Sequence, residues 1–341
     1  MYIRGNSGKR FNYSDSGEKN EASIGLWYMA YKLNKGYYLY QDISHLDDGS
    51  FCTEHYAFLA LTCCHRLGPV SVKEPSGNIY KANGPNPVLM CRTGWKKDDL
   101  YLAVKGGEAN ISHAHLDVGE VVFDAYGTRW MKDFTYSTDY GECRSILLAS
   151  GLSADELGNR EQDSWRWKFF QYHNLRHSTL TIDMKPHWPY GIAEITKKSD
   201  DTRLGGYVDL TNAFYNQLKT GNRTAVICDG SFLEITDVLT ALDGKSASVR
   251  WTCASDAVPS VVDDGIVLTD VSGVRMKIST TAPGAKFSVW STDPAKSEDY
   301  KSPFTETEAL HQNPLDGYLC GFEYVIPAGT KVTAVTTLKK I

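Results

Sequence analysis

The chain has 341 residues, 42% of them hydrophobic and 23% charged, with 29 glycines and 20 tyrosines. That excludes a disordered, collagenous or coiled-coil polypeptide and leaves a globular chain long enough for two domains or one large layered unit. With 36 Lys and Arg against 41 Asp and Glu, for a net charge of −5, the broad basic footprint of a nucleic-acid binder is missing, so an anionic ligand needs a local patch. The 8 cysteines include no C-x-x-C pair and read as buried thiols, and no stretch approaches the roughly 18 apolar residues of a membrane span.

In chain order, residues 21–36 carry apolar positions at three-and-four spacing (Ile24, Trp27, Tyr28, Tyr31), which predicts an amphipathic helix with Gly36 as its C-terminal cap. Residues 51–68 are apolar or small on all sides and predict a helix packed between others. Glu54, His55 and His65 on that segment read as packing or solvated side chains. The stretch 68–87, dense in Gly, Pro, Asn and Ser, reads as a linker. Beyond it come short runs of Val, Ile, Thr, Tyr and Phe between turn residues, with Tyr126-Gly127 and Asp229-Gly230 as hairpin signals. No convincing helical period follows residue 68, so the expectation is a mainly β chain: a large antiparallel β-sandwich with helices before it. Residues 293–314 are predicted to be a long surface loop or a short helix.

Site-grade residues concentrate in residues 110–140, which hold His113, His115, Asp117, Asp133, Tyr136 and Tyr140. If this segment is extended, residues two apart share a face, so His113, His115 and Asp117 can line one pocket, a set of N and O donors suited to zinc. H-x-H alone is weak, since surface or hydrogen-bonded histidines give the same pattern. If Tyr126-Gly127 closes a two-residue hairpin, Asp133 falls opposite about Glu120 and not His115, so periodicity alone does not predict the metal site. A second cluster, 160–177, carries Arg160, Arg166, Lys168 and Arg176 with His173 and His177. This local positive stretch either holds a carboxylate or sulfate or is a solvated basic loop. Trp165 and Trp167 can stack on sugar rings or simply pack at a sandwich edge.

Four motifs in order, FNYSDSGE (11–18), SHAHLD (112–117), RWMKDFTYSTDY (129–140) and RHSTLTID (176–183), resemble the heparinase II/III-like polysaccharide lyases, which are related to oligo-alginate lyases. They span roughly the first 190 residues. The resemblance implies the last helices of an incomplete α/α toroid over residues 1–70 and an antiparallel β-sandwich over residues 71–341. It implies a structural zinc held by His115, Asp133 and His177, with His113 at the scissile sugar. It also places Tyr136 or Tyr140 near the substrate, spacing not deciding between them. Ser178 stands where the family commonly has Asn. Arg176 is the choice for contact with an acidic sugar.

The activity implied is β-elimination on a uronic-acid polysaccharide or oligosaccharide. An acidic C5 proton passes to a base after the uronate carboxylate is neutralised, and an acid protonates the departing C4 oxygen. Exported lyases of this kind imply a periplasmic or secreted location. The family's Asn-His pair and toroid tyrosine lie upstream of the FNYSDSGE-like motif, where this sequence offers ten residues, and neither Tyr2 nor Tyr13 matches them. The expectation is therefore the carboxy-terminal portion of a longer lyase. Two other readings stand beside it: a non-catalytic, zinc-stabilised carbohydrate-binding or structural module, and a metal-dependent hydrolase on a β-barrel.

Overall fold

A computed structural model describes residues 1–19, 21–47, 57–68 and 72–341. The first helix, α1 (Ile24–Leu33), buries Trp27 and Ala30. It stops at Asn34, which takes the left-handed conformation (φ 52°) and returns its N–H to the carbonyls of Ala30 and Tyr31. Asn tolerates that conformation, so the predicted cap at Gly36 is replaced by one two residues earlier. A short helix, α2 (Ser44–Asp47), follows, and α3 (Ala57–Leu67) packs on α1 through Ala60 and Cys63. Phe58, Leu59 and Leu61 of α3 are solvent-exposed, which corrects the expectation of a helix enclosed on all sides. Glu54 and His55 lie outside the described residues, and His65 is solvated.

The strands are β1 (Ile79–Ala82), β2 (Val88–Arg92), β3 (Tyr101–Lys105), β4 (Val121–Ala125) and β5 (Thr128–Met131), then β6 (Leu180–Ile182), β7 (Ile195–Ser199), β8 (Arg203–Asp209), β9 (Leu218–Cys228), β10 (Phe232–Ala241), β11 (Ala247–Ser255), β12 (Val258–Val262), β13 (Gly265–Thr269), β14 (Arg275–Thr280), β15 (Lys286–Trp290), β16 (Tyr318–Ile326) and β17 (Lys331–Lys340). They form three antiparallel sheets. The first is a meander, β1 to β5 in order. The second runs β12-β13-β14-β17-β10-β9-β8-β7, and the third β15-β16-β11-β6. One continuous core draws on all three, with Val104 and Phe123 from the first, Ile227 and Ile235 from the second, and Trp251 and Phe322 from the third. The expected large antiparallel sandwich preceded by helices is the fold observed.

Both predicted hairpins form. Tyr126 and Gly127 each have positive φ (54° and 76°) and join β4 to β5 in a two-residue turn, the geometry such a connection favours. Asp229-Gly230 lies in the loop between β9 and β10. Four strands, β1, β7, β8 and β12, carry only a weak hydrophobic alternation. Of these, β1, β7 and β12 are sheet edges, and edge strands carry the Lys, Pro and polar residues that blunt the periodic signal; β8 contains Gly205-Gly206.

The absence of helix after residue 68 is also corrected. Helix α4 (Tyr140–Ala149) is capped by Asp139, whose carboxylate accepts from the N–H groups of Gly141 and Glu142 while Glu142 reaches back. It buries Cys143, Ile146 and Leu147. Residues 293–314 are mostly irregular, with one 3-10 turn at Pro294–Lys296, yet they bury Tyr300, Phe304 and Gln312. Every cysteine among the described residues is a free thiol. Among them, no helix is long and apolar enough to cross a membrane.

Candidate functional site

The segment between β3 and β4 is a loop and not a strand, so its residues do not alternate as predicted. His113 takes a left-handed conformation (φ 63°), unusual for a residue with a Cβ. That turn throws its ring outward, with the side chain 76% exposed, while His115 and Asp117 point into the protein and are wholly buried. The three therefore do not share one pocket.

What joins the two histidines is Asp15, from the FNYSDSGE segment. Its Oδ2 lies 2.8 Å from His113 Nδ1 and its Oδ1 2.7 Å from His115 Nε2. Burial pushes the Asp15 carboxyl up, but the His115 hydrogen bond and charge, then His113 and Arg166, overcome this and hold it at about 2. As an ionised carboxylate it can only accept, so His113 donates from Nδ1 and His115 from Nε2. Neutral rings so arranged keep a lone pair on the opposite nitrogen. His113 lines an open cleft of ≈ 340 Å³ together with Tyr13, Asp15 and Ser112.

Below this lies a buried cluster in which Asp117, Glu120, Asp133 and His177 each bring a donor atom within 4.8 Å of the others. Asp133, two residues past β5, lies beside Glu120, the neighbour the sequence predicted, although a register shift between Phe123 and Asp124 interrupts the hairpin pairing assumed for it. His177 enters from the 3-10 turns before β6. His177 Nδ1 lies 2.7 Å from Asp133 Oδ1 and 3.4 Å from Glu120 Oε1. Asp117 already has partners: Oδ1 accepts from Lys105 Nζ at 2.6 Å, and Oδ2 from the backbone N–H and hydroxyl of Ser14. Of the three predicted metal ligands, Asp133 and His177 thus come together. His115 stands beside them, its ring centre 5.3 Å from that of His177, but it is not one of the clustered four.

The electrostatics test whether a cation fits. Three carboxylates face two buried cations, Lys105 and Arg176, which leaves one negative charge over. An isolated charge in such surroundings is neutralised by a proton or by an ion. Without an ion, burial lifts Asp133 to about 7, and burial together with the Asp133 and Asp117 charges lifts Glu120 well above the usual carboxylate range. Burial, reinforced by Arg176, holds His177 well below its ordinary value. Four buried polar atoms here have no hydrogen-bond partner: Glu120 Oε2, Asp133 Oδ2, His177 Nε2 and His115 Nδ1. Excess negative charge with unpartnered O and N donors is a set that a divalent metal cation accepts.

Other predicted residues fall elsewhere. Arg176 is fully buried, its guanidinium donating to the carbonyls of Gln171 and Phe134. It holds the loop together and has no surface to offer a sugar, which corrects its assignment as a substrate contact. Arg166 is likewise buried on the carbonyls of Ala114 and Leu157, so the basic stretch 160–177 is largely internal and neither a solvated loop nor an anion patch. Trp167 is buried and Trp165 partly so, packed in a small core. Tyr136 and Tyr140 are exposed, Tyr140 as the first residue of α4, and neither lines the His113 cleft.

Solved structures that share this fold include a heparan sulfate lyase and heparinases. Heparan sulfate lyase HepC from Pedobacter heparinus, in a mutant form, matches with a TM-score of 0.63 at 14% identity over 99% of this chain. The heparinase III BT4657 gene product matches with a TM-score of 0.61 at 13% identity over 100% of it. Another heparinase III gives 0.61 at 12% identity. This chain spans 45% of the length of the first two and 46% of the third, corresponding to their C-terminal half. No family model matches the sequence, and no curated protein does.

Proposed function

We propose that the chain is the sandwich part of a carbon–oxygen lyase that cleaves a uronic-acid polysaccharide or oligosaccharide by β-elimination. The observation that carries this reading is the Asp15 carboxylate held between His113 and His115. It holds the exposed imidazole by Nδ1, which leaves Nε2 as the ring nitrogen available to act as a base in the cleft that His113 lines. A base so placed takes the C5 proton of a uronate whose carboxylate is neutralised, and an acid protonates the C4 oxygen as the C4–O bond breaks. Tyr13 lines the same cleft and is our assignment for the acid, in place of Tyr136 and Tyr140. Asp15 positions His113 and does not itself exchange protons with substrate.

The cluster of Asp117, Glu120, Asp133 and His177, with His115 beside it, is our candidate zinc site. A cation there supplies charge balance and crosslinks the loop bearing His113 to the chain after β5 and to the segment before β6. All of these residues are fully buried, which favours a structural ion over one that activates solvent and so disfavours the hydrolase reading. A polysaccharide substrate is extracellular chemistry, and a periplasmic or secreted location follows from the proposal.

The test is to incubate the protein with heparan sulfate, heparin, hyaluronan, chondroitin and alginate while following the ultraviolet absorbance of the unsaturated uronate. A rise with at least one, reduced roughly a hundredfold or more in His113→Ala as expected for loss of a general base, is the predicted result. No rise with any of them contradicts the reading and leaves the non-catalytic module.

A further inference from the structure

We infer that Cys253 and Cys320 are a crosslinking site: in an oxidising compartment the two thiols join in a disulfide that staples β11 to β16. The inference stands on the sheet geometry and not on the lyase reading, although the location which that reading implies is where such bonds form. Both are free thiols in the structure. They are register partners, Cys253 directly opposite Cys320 in the antiparallel ladder. Both side chains belong to the main core and are wholly buried. No other two cysteines among the described residues face each other across a ladder.

The backbone sets how close they come. Thr252 donates its N–H to the Thr179 carbonyl, and the Ala254 carbonyl accepts from Lys132, both on the side of β11 away from β16. Cys253, between them, therefore turns its own N–H and carbonyl to β16, which makes the couple a hydrogen-bonded pair with Cα atoms about 5.5 Å apart. A disulfide takes Cα separations of roughly 4.4–6.8 Å. Beside the pair the strands press together: a Cβ on Gly321 would lie 2.0 Å from the Trp251 carbonyl oxygen, so only glycine permits this approach. The two thiols are already hydrogen-bonded to each other.

That hydrogen bond, and then burial, push the Cys253 thiol well above its ordinary value. The closed pair is a poor nucleophile, so the bond forms while the sheet is still open. One thiolate attacks a low-molecular-weight or enzyme-borne disulfide, releasing one thiol and leaving a mixed disulfide. The second thiolate attacks that sulfur, the Cys253–Cys320 bond forms and a second thiol departs. Two electrons pass to the oxidant, and the two protons of the cysteines end on the released thiols. The loop so closed is long, the case in which a crosslink constrains the unfolded chain most. It also steadies the strand beside the buried cluster. Ala254, next to Cys253, accepts from Lys132 and donates to the Ser178 hydroxyl, and those two residues adjoin Asp133 and His177 in the chain.

The test is to refold the reduced, denatured protein in oxidised and reduced glutathione, block free thiols under denaturing conditions and map the peptides by mass spectrometry. The predicted result is a single linked peptide pair, Cys253 with Cys320, and a melting temperature about 3–5 °C above that of the same protein refolded with reductant. Cys253→Ala and Cys320→Ala should each remove both the pair and the difference. If neither variant folds, the mapping and melting of the unsubstituted chain decide alone. Complete blocking of both thiols at every glutathione ratio, pairing of either with another cysteine, or a melting temperature unmoved by the bond overturns the crosslink. The lyase reading is judged separately, by unsaturated product.

Discussion

His113 occupies a conformation that few residues with a Cβ adopt, and such strain persists where surrounding contacts overdetermine it. Here the contact is Asp15, bridging an exposed imidazole and a buried one. The sequence announced both histidines through SHAHLD, and Asp15 stood inside a motif already singled out, yet nothing in one-dimensional spacing links residue 15 to residue 113. Glu120 was visible only as the residue opposite Asp133, because a hairpin register reports neighbours and not ligands. Arg176 was misread because a charged side chain near candidate ligands looks like a substrate contact, whereas its partners are backbone carbonyls that no sequence pattern reveals.

The protonation of this cluster makes a prediction about metal affinity. Metal-free Asp133 titrates at about 7 and Glu120 is raised, both by burial first, so at mildly acidic pH the site holds protons that a cation must displace. His115 and His177, lowered by burial, are already neutral there and release none. Zinc affinity should therefore fall as pH drops from about 8 to 5, by roughly tenfold per pH unit for each proton displaced. Competition titrations with a chromogenic chelator across that range check it. An affinity independent of pH would mean that Asp133 and Glu120 are not displaced from their protons and do not hold the ion. Thermal stability is a poorer readout, since the buried neutral histidines favour stability as pH rises while the raised carboxyls act in the opposite direction.

At the scale of elements, the long alternating strands were legible because one face of each is buried in a shared core. In β10 the burial alternates at every residue, as the hydrophobic pattern implied. Edge strands were not, since the features that protect an edge also erase its periodicity. Helix α4 was missed for a different reason. Its ten residues give a weak apolar stripe, and the signal that would have found it is the Asp139-x-x-Glu142 capping box. Asp139→Ala removes an acceptor from two helical N–H groups on an exposed helix end and should cost about 1 kcal/mol. Urea unfolding at constant m-value measures this; a change below a few tenths of that would mean that tertiary packing alone holds α4.

For the whole molecule, the sequence disclosed helices first and a sandwich after, but not the order of strands. β17, the last, lies between β14 and β10, and β6 joins β11 across a long stretch of chain. Such pairings are set by the shared core and not by local pattern. The cluster under His113 ties three distant segments together: the loop after β3, the chain after β5 and the turns before β6. Removing an ion that balances their charge should loosen all three at once. The direct test is metal content by mass spectrometry of the purified protein, beside its melting temperature with and without chelator. About one divalent ion per chain, lost in His177→Ala and by chelation with a lowered melting temperature, is the predicted result. A protein free of metal whose melting temperature is unmoved by added zinc or by chelator would contradict the account.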